Sequence, residues 1–260
     1  MDLTGRVVVV TGGAGHVGSA CSDALAELGA SVVVLDRKPE ACARVADRLS
    51  SEFGVSCLPL AQDLADEGAV RKVPATVIDR FGRIDALVNC AALVGASELE
   101  GWAVPFENQN VATWRCALEI NLTSPFVLAQ TCAPALTRSG HGSIVNIGTI
   151  YGIVGPRMSL YDGTGLGNPA AYAASKGGLL QLTRWLATTL APGVRVNAIS
   201  PGGIRRDQPE LFVDRYVEQT PLGRMATEED LKGAVAYLVG DASGYVTGQN
   251  LIVDGGWTIW

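Results

Sequence analysis

The 260-residue sequence predicts an α/β fold built on a doubly wound parallel sheet. Three observations carry that expectation. Short β-branched runs alternate with longer helical stretches along the chain. The first run is continuously apolar after one arginine, as in a strand buried on both faces. No repeat, low-complexity tract or Pro/Ser-rich linker divides the chain, so residues 1–260 read as a single domain.

The elements follow in order. Residues 6–10 are too short for a helix and rich in valine, and 32–35, 86–88, 143–147 and 194–199 repeat the pattern. Helical spacing covers 17–28, 41–53, 70–81, 113–136, 171–190 and 228–238. Two segments interrupt this rhythm. Residues 151–169 are dense in Gly and Pro, and residues 202–224 carry Arg205, Arg206 and Arg215. Long loops in a compact domain act as lids or are disordered, and lids over a substrate are expected here.

Composition narrows the class. The chain is 48% apolar and 18% charged, which argues for a packed core over disorder. Twenty Lys and Arg against 26 Asp and Glu leave a net charge of −6 with the signs interspersed, which counts against a nucleic-acid partner. No apolar run approaches the roughly 18 residues needed to cross a bilayer. The start, MDLTGRVVVVTGG, lacks a secretion signal, so a cytoplasmic protein without a membrane partner is expected. Cys21, Cys42, Cys57, Cys90, Cys116 and Cys132 lie scattered without C-x-x-C spacing and read as small buried thiols. With only His16 and His141, no multi-histidine metal site is expected.

Directly after the first strand stands Thr11-Gly12-Gly13-Ala14-Gly15-His16-Val17-Gly18, followed by helical spacing at Val17, Cys21, Ala24, Leu25 and Leu28. Glycines permit positive φ and close backbone approach, and the helix N-terminus favours a pyrophosphate. A tight turn would also use glycines; the strand-to-helix context favours the nucleotide. Asp36 ends the second strand, 18 residues past Gly18, where a carboxylate accepts from both adenosine-ribose hydroxyls and repels a 2′-phosphate. NAD is therefore expected over NADP, although Arg37 and Lys38 could pair with such a phosphate, and Asp36 could instead cap a helix. Asp63, after a third strand, and Asn89 with Ala91, after the fourth, fall at strand carboxyl ends, where open α/β sheets bind ligands.

At the other end, Tyr172 and Lys176 are four apart on one helix face. A phenol with pKa near 10 is a poor base at neutral pH, and an adjacent ammonium favours the phenolate. The alternative is an exposed pair with Tyr172 packed and Lys176 solvated.

These motifs together resemble the short-chain dehydrogenase/reductase family, single-domain branch. The likeness runs from Thr11 to Tyr245-Val246-Thr247-Gly248-Gln249 and Val253-Asp254-Gly255-Gly256. Asn89-Cys90-Ala91-Ala92 is similar to the family's N-x-A-G element, Asn121 to its water-holding asparagine, and Pro201-Gly202 to the turn beside the nicotinamide. The resemblance implies a Rossmann-type fold and a homodimer or homotetramer joined through 113–136 and 171–190. It implies Asn121, Thr149, Tyr172 and Lys176 as catalytic residues. It also implies a dinucleotide contacting Gly12, Gly13, Gly15, His16, Val17, Gly18, Asp36, Asp63, Leu64, Asn89, Ala91, Tyr172, Lys176, Pro201, Gly202 and Ile204.

Three departures stand out. His16 replaces a family glycine, and the T-G-x-x-G-x-x-G spacing is closer to the extended, sugar-nucleotide branch. Thr149 stands where a catalytic serine is expected; its hydroxyl can still donate, and the competing Ser143 sits at the wrong end of its strand. From Thr149 to Tyr172 is 23 residues, with the excess in 151–169. Arg205-Arg206 follows the Pro-Gly turn where a threonine is common, either clamping an anion or solvated.

The expectation is an NAD-linked oxidoreductase interconverting a secondary alcohol and a ketone on a polar, sugar-like or anionic small molecule. Its rivals are a 3-oxoacyl-thioester reductase, an epimerase or dehydratase, and, from another class, a non-catalytic NAD-binding redox sensor. The apolar end Trp257-Thr258-Ile259-Trp260 either joins an interface or packs on its own domain.

Overall fold

Seven parallel strands form one sheet in the order β3-β2-β1-β4-β5-β6-β7. The computed structural model describes residues 1–95, 97 and 99–260. The strands are β1 (Val7–Thr11), β2 (Ser31–Asp36), β3 (Cys57–Ala61), β4 (Ala86–Asn89), β5 (Gly142–Ile147), β6 (Val194–Pro201) and β7 (Asn250–Val253). The helices are α1 (His16–Glu27), α2 (Pro39–Phe53), α3 (Glu67–Val70), α4 (Val73–Phe81), α5 (Val111–Leu118), α6 (Ser124–Ser139), α7 (Ala170–Leu190), α8 (Glu210–Glu218) and α9 (Lys232–Val239).

The valine runs explain the layering. Successive side chains of a strand point to opposite faces. Val8 and Val10 of β1 join Val32 and Val34 of β2 in one core, with α1, α2 and α9 residues. Val7 and Val9 join Val33 and Leu35 in the other, against α4, α6 and α7. Both faces are therefore dry, as a parallel sheet requires.

Strand order reverses between β1 and β4, so their carboxyl ends open a crevice at the switch point. Register aligns them: Thr11 lies opposite Asn89, and Asn89 opposite Asn146.

Three elements differ from the sequence reading. The stretch 70–81 takes in the last residue of α3, a break at Arg71 and Lys72, and then α4. The stretch 113–136 is α5 and α6 joined by a π-helical turn, Glu119–Thr123. Residues 202–224 include helix α8, which buries Phe212 and Tyr216. Among the described residues no helix is long and apolar enough to cross a membrane.

Candidate active site

Two adjoining cavities of about 320 and 290 Å³ run along the carboxyl ends of the strands. The first is walled by the glycine turn and by the ends of β2, β3 and β4. Gly12, Gly15, His16, Val17, Gly18, Asp36, Asp63, Leu64 and Ala91 line it. The second takes Thr149, Tyr172, Lys176, Pro201, Gly202 and Ile204.

The turn needs its glycines. Gly12 has φ +64°, and a Cβ there would stand 2.8 Å from Ala91 Cα. A Cβ on Gly18 would come within 2.1 Å of the Gly12 carbonyl oxygen. Backbone thus replaces side chain where α1 begins, and its N-cap, Gly15, offers no side-chain cap. The first N–H groups of α1 remain for an anion. Thr11 Oγ1 ties the turn to β4 by accepting from Cys90 N–H at 3.0 Å and Ala91 N–H at 3.1 Å.

Asp36 accepts from Ala14 N–H at 3.3 Å and Arg37 N–H at 2.7 Å. A carboxylate has about four acceptor directions, so capacity remains for ribose hydroxyls. Helix α2 begins at Pro39 with Lys38 as its N-cap, so Asp36 does not cap it. Asp63 accepts from Ala65 N–H at 2.9 Å and bends the chain at the cavity wall. Uncapped N–H groups at one end, a strand-end carboxylate beside them and a hydroxyl pair beyond fit an extended dinucleotide.

The second cavity holds the groups expected to react. Lys176 is 2% exposed, and its Nζ donates to the Ile147 carbonyl at 2.6 Å. Burial pushes its ammonium down to about 8. Burial pushes the Tyr172 phenol up, while a hydrogen bond to Thr149 and the charge of Arg206 pull it back. Thr149 is 7% exposed; it caps the 3-10 turn Ile150–Gly152, accepting from Tyr151 N–H at 3.4 Å. Ser143 lies fully buried at the far end of β5, donating to the Leu238 carbonyl at 2.9 Å.

Three expected site residues, the contacts Gly13 and Asn89 and the catalytic candidate Asn121, stand behind the walls. Gly13 packs beneath the turn, where a Cβ would meet the Val10 carbonyl at 2.9 Å. Asn89 is 2% exposed and donates to Asn146 Oδ1 at 2.8 Å, leaving the wall to Cys90 and Ala91. Asn121, in the π turn, is fully buried. Its amide NH₂ donates to the Leu93 carbonyl at 3.1 Å and the Ser175 hydroxyl at 3.0 Å, and its oxygen accepts from Leu93 N–H at 2.8 Å. Ser175 in turn donates to the Tyr172 carbonyl at 3.0 Å. Both amide hydrogens are spent, so this side chain fastens α7 to the loop after β4.

Sequence reasoning missed much of the second wall. The Tyr161 hydroxyl donates to Tyr151 Oη at 3.0 Å and accepts from Asn168 Nδ2 at 3.1 Å, all three within 151–169. Phe212 and Tyr216 of α8 add an aromatic side, with Tyr216 stacked on Trp257 at 5.8 Å. Their i, i+4 spacing was the available signal. Trp257 packs within its own domain, whereas Ile259 and Trp260 are exposed. The two arginines separate: Arg205 pairs with Glu210 at 2.6 Å, while Arg206 lines both cavities.

The family model described as enoyl-(acyl carrier protein) reductase matches residues 12–258. The cis-4-hydroxycyclohexanecarboxylate dehydrogenase of Sinomonas cyclohexanicum is 35% identical, over 97% of this chain and 96% of its own. A 3-oxoacyl-(acyl-carrier-protein) reductase of Aquifex aeolicus is 30% identical, over 98% of both chains. The crystal structure of a gluconate 5-dehydrogenase from Burkholderia cenocepacia in complex with NADP and tartrate gives a TM-score of 0.88 at 30% identity, covering 100% of this chain and 97% of that one. The chain belongs to the short-chain dehydrogenase/reductase family of nicotinamide-dependent oxidoreductases.

Proposed function

We propose that the protein is an NAD-dependent dehydrogenase that interconverts a secondary alcohol and a ketone on a polar, hydroxylated small molecule. One observation carries this reading: the Tyr172 and Thr149 hydroxyls and the buried Lys176 share a cavity that opens directly onto the glycine turn. The dinucleotide supplies hydride exchange at the nicotinamide when bound. The chain supplies orientation and proton handling. Tyr172 exchanges the hydroxyl proton, and Thr149 donates to the substrate oxygen. Lys176 has two ammonium hydrogens left beyond Ile147, which suit the ribose hydroxyls of the nicotinamide half. Asn121 acts as a positioning residue through Ser175.

NAD is favoured over NADP because Asp36 puts a negative charge where a 2′-phosphate would lie. Polar groups from 151–169 facing the aromatic side of α8 favour a hydroxylated carbon skeleton, and relatives acting on gluconate and a hydroxycyclohexanecarboxylate support that class. Burial pushes the Tyr151 phenol up, so it stays a donor across the physiological range. The 151–169 and 202–224 segments then serve as the substrate walls. Exposed Trp114, Phe126 and Trp185 on α5, α6 and α7 favour self-association through those helices.

A 3-oxoacyl-thioester reductase is the second reading, favoured by the Aquifex aeolicus relative. A net charge of −6 suits an acidic carrier protein poorly. The deciding experiment screens NAD with a panel of polyols and hydroxy acids, then repeats the productive pair with Tyr172→Phe. Turnover should fall at least about 10²-fold with NADH affinity nearly unchanged. Unimpaired turnover refutes the role of Tyr172, and NADH binding without turnover on any panel member favours a sensor.

A further inference from the structure

We infer that Arg206 is a ligand of the dinucleotide pyrophosphate, acting together with the N-terminus of helix α1. This rests on the reading that the cleft takes a nicotinamide dinucleotide. The two cavities share five wall residues: Val17, Cys90, Ala92, Val94 and Arg206. A dinucleotide with its adenosine ribose at Asp36 and its reacting ring at Tyr172 has both phosphates midway, at that seam. Among the five, Arg206 alone carries a full charge.

The charge balance at the seam asks for such a group. A pyrophosphate brings about two negative charges, while the first turn of α1 offers about half a positive one. Asp36 and Asp63 add two negative charges to the first cavity, met there by Arg37 and Arg206. The other wall cations stand elsewhere: Arg37 beside Asp36, and Lys176 against the Ile147 carbonyl. A substrate carboxylate would lie deeper, beside Thr149 and Tyr172, so the seam position favours the phosphates.

Local geometry presents the guanidinium in a usable form. Its Nε donates to Glu228 Oε1 at 3.0 Å. Its main-chain N–H donates to Gln208 Oε1 at 2.6 Å, which fixes the turn that carries it. Among the described residues neither terminal nitrogen has a protein acceptor, and the side chain is 34% exposed. A guanidinium tethered at Nε leaves its two outer nitrogens as a planar fork, the shape that takes two phosphate oxygens at once.

The test measures binding, independent of any substrate. Affinities for NADH, ADP-ribose and adenosine are compared in the wild type, Arg206→Gln and Arg206→Lys, with ligand-free melting as the fold control. Arg206→Gln should weaken NADH and ADP-ribose about 10- to 100-fold while adenosine, which has no phosphate, changes less than about twofold. Arg206→Lys should recover part of the loss, since a point charge replaces a fork. NADH and ADP-ribose affinities within about twofold of wild type in Arg206→Gln overturn the inference. Equal weakening of adenosine also overturns it, because the lesion then lies at the adenosine end. A wild type that binds no NADH overturns the dinucleotide reading itself, and this inference with it.

Discussion

Replacing Lys176 with methionine should remove a defined part of the pH dependence of stability. The ammonium is 2% exposed, and burial lowers its pKa from 10.5 to about 8. The folded protein therefore releases this proton first, and between about pH 8 and 10.5 the unfolded chain binds more protons. Stability must rise with pH through that window. At about 1.4 kcal/mol per unit, the full gap is roughly 3 kcal/mol, of which about 2 kcal/mol is recovered between pH 7 and pH 10. Methionine fills a similar volume without a charge, but leaves the Ile147 carbonyl without its donor at a cost of about 1–3 kcal/mol. That cost is the same at every pH, so the two effects separate. Urea unfolding of both ligand-free proteins at pH 7, 8.5 and 10 should show the wild type gaining about 2 kcal/mol relative to Lys176→Met. A difference that stays constant within about 0.5 kcal/mol would show that the ammonium is not desolvated as described.

Other substitutions probe the rest of the cleft. Asp36→Ala removes the ribose acceptor and the repulsion of a 2′-phosphate, so NADH should bind about tenfold more weakly and NADPH more tightly, with Arg37 adjacent. Fluorescence titration of both nucleotides checks this, and an unchanged ratio of affinities refutes the role of Asp36. Thr149→Ser should keep kcat/KM within about tenfold, whereas Thr149→Val should lose about 10²- to 10³-fold by removing the donor to the substrate oxygen. Equal activity of the serine and valine variants would exclude Thr149 from the reaction.

The parts of this molecule legible in the sequence are those where one residue type meets one backbone demand. Uninterrupted valines mark β1 and β2 to within about one residue, because a strand dry on both faces tolerates little else. Gly12 and Gly18 mark the turn because a Cβ cannot fit. β3 lies at a sheet edge with Pro59 inside it and mixed burial, so neither alternation nor a β-branched run announces it. The π turn around Asn121 inserts itself without a compositional mark, since its residues also suit an α-helix. Arg205 and Arg206 are chemically equivalent in the sequence. Only the path of the chain sends one outward to Glu210 and the other to the seam.

The same distinction explains how 151–169 can be long without displacing Tyr172. The first turn of α7 is held from the opposite side: Gln109 Oε1 accepts from Ala170 N–H at 3.0 Å, and Asn121 reaches Ser175. The strand end is held separately, because Gly152 packs so closely on α7 that a Cβ would lie 3.0 Å from the Lys176 carbonyl carbon. Thr149 and Tyr172 are thus brought together by contacts that do not pass along the 23 residues between them. The chain beyond Gly152 can lengthen, contributing Tyr161 and Asn168 to the wall, while the hydroxyl pair stays in place. In the function proposed above, substrate choice can therefore change in that segment independently of proton transfer.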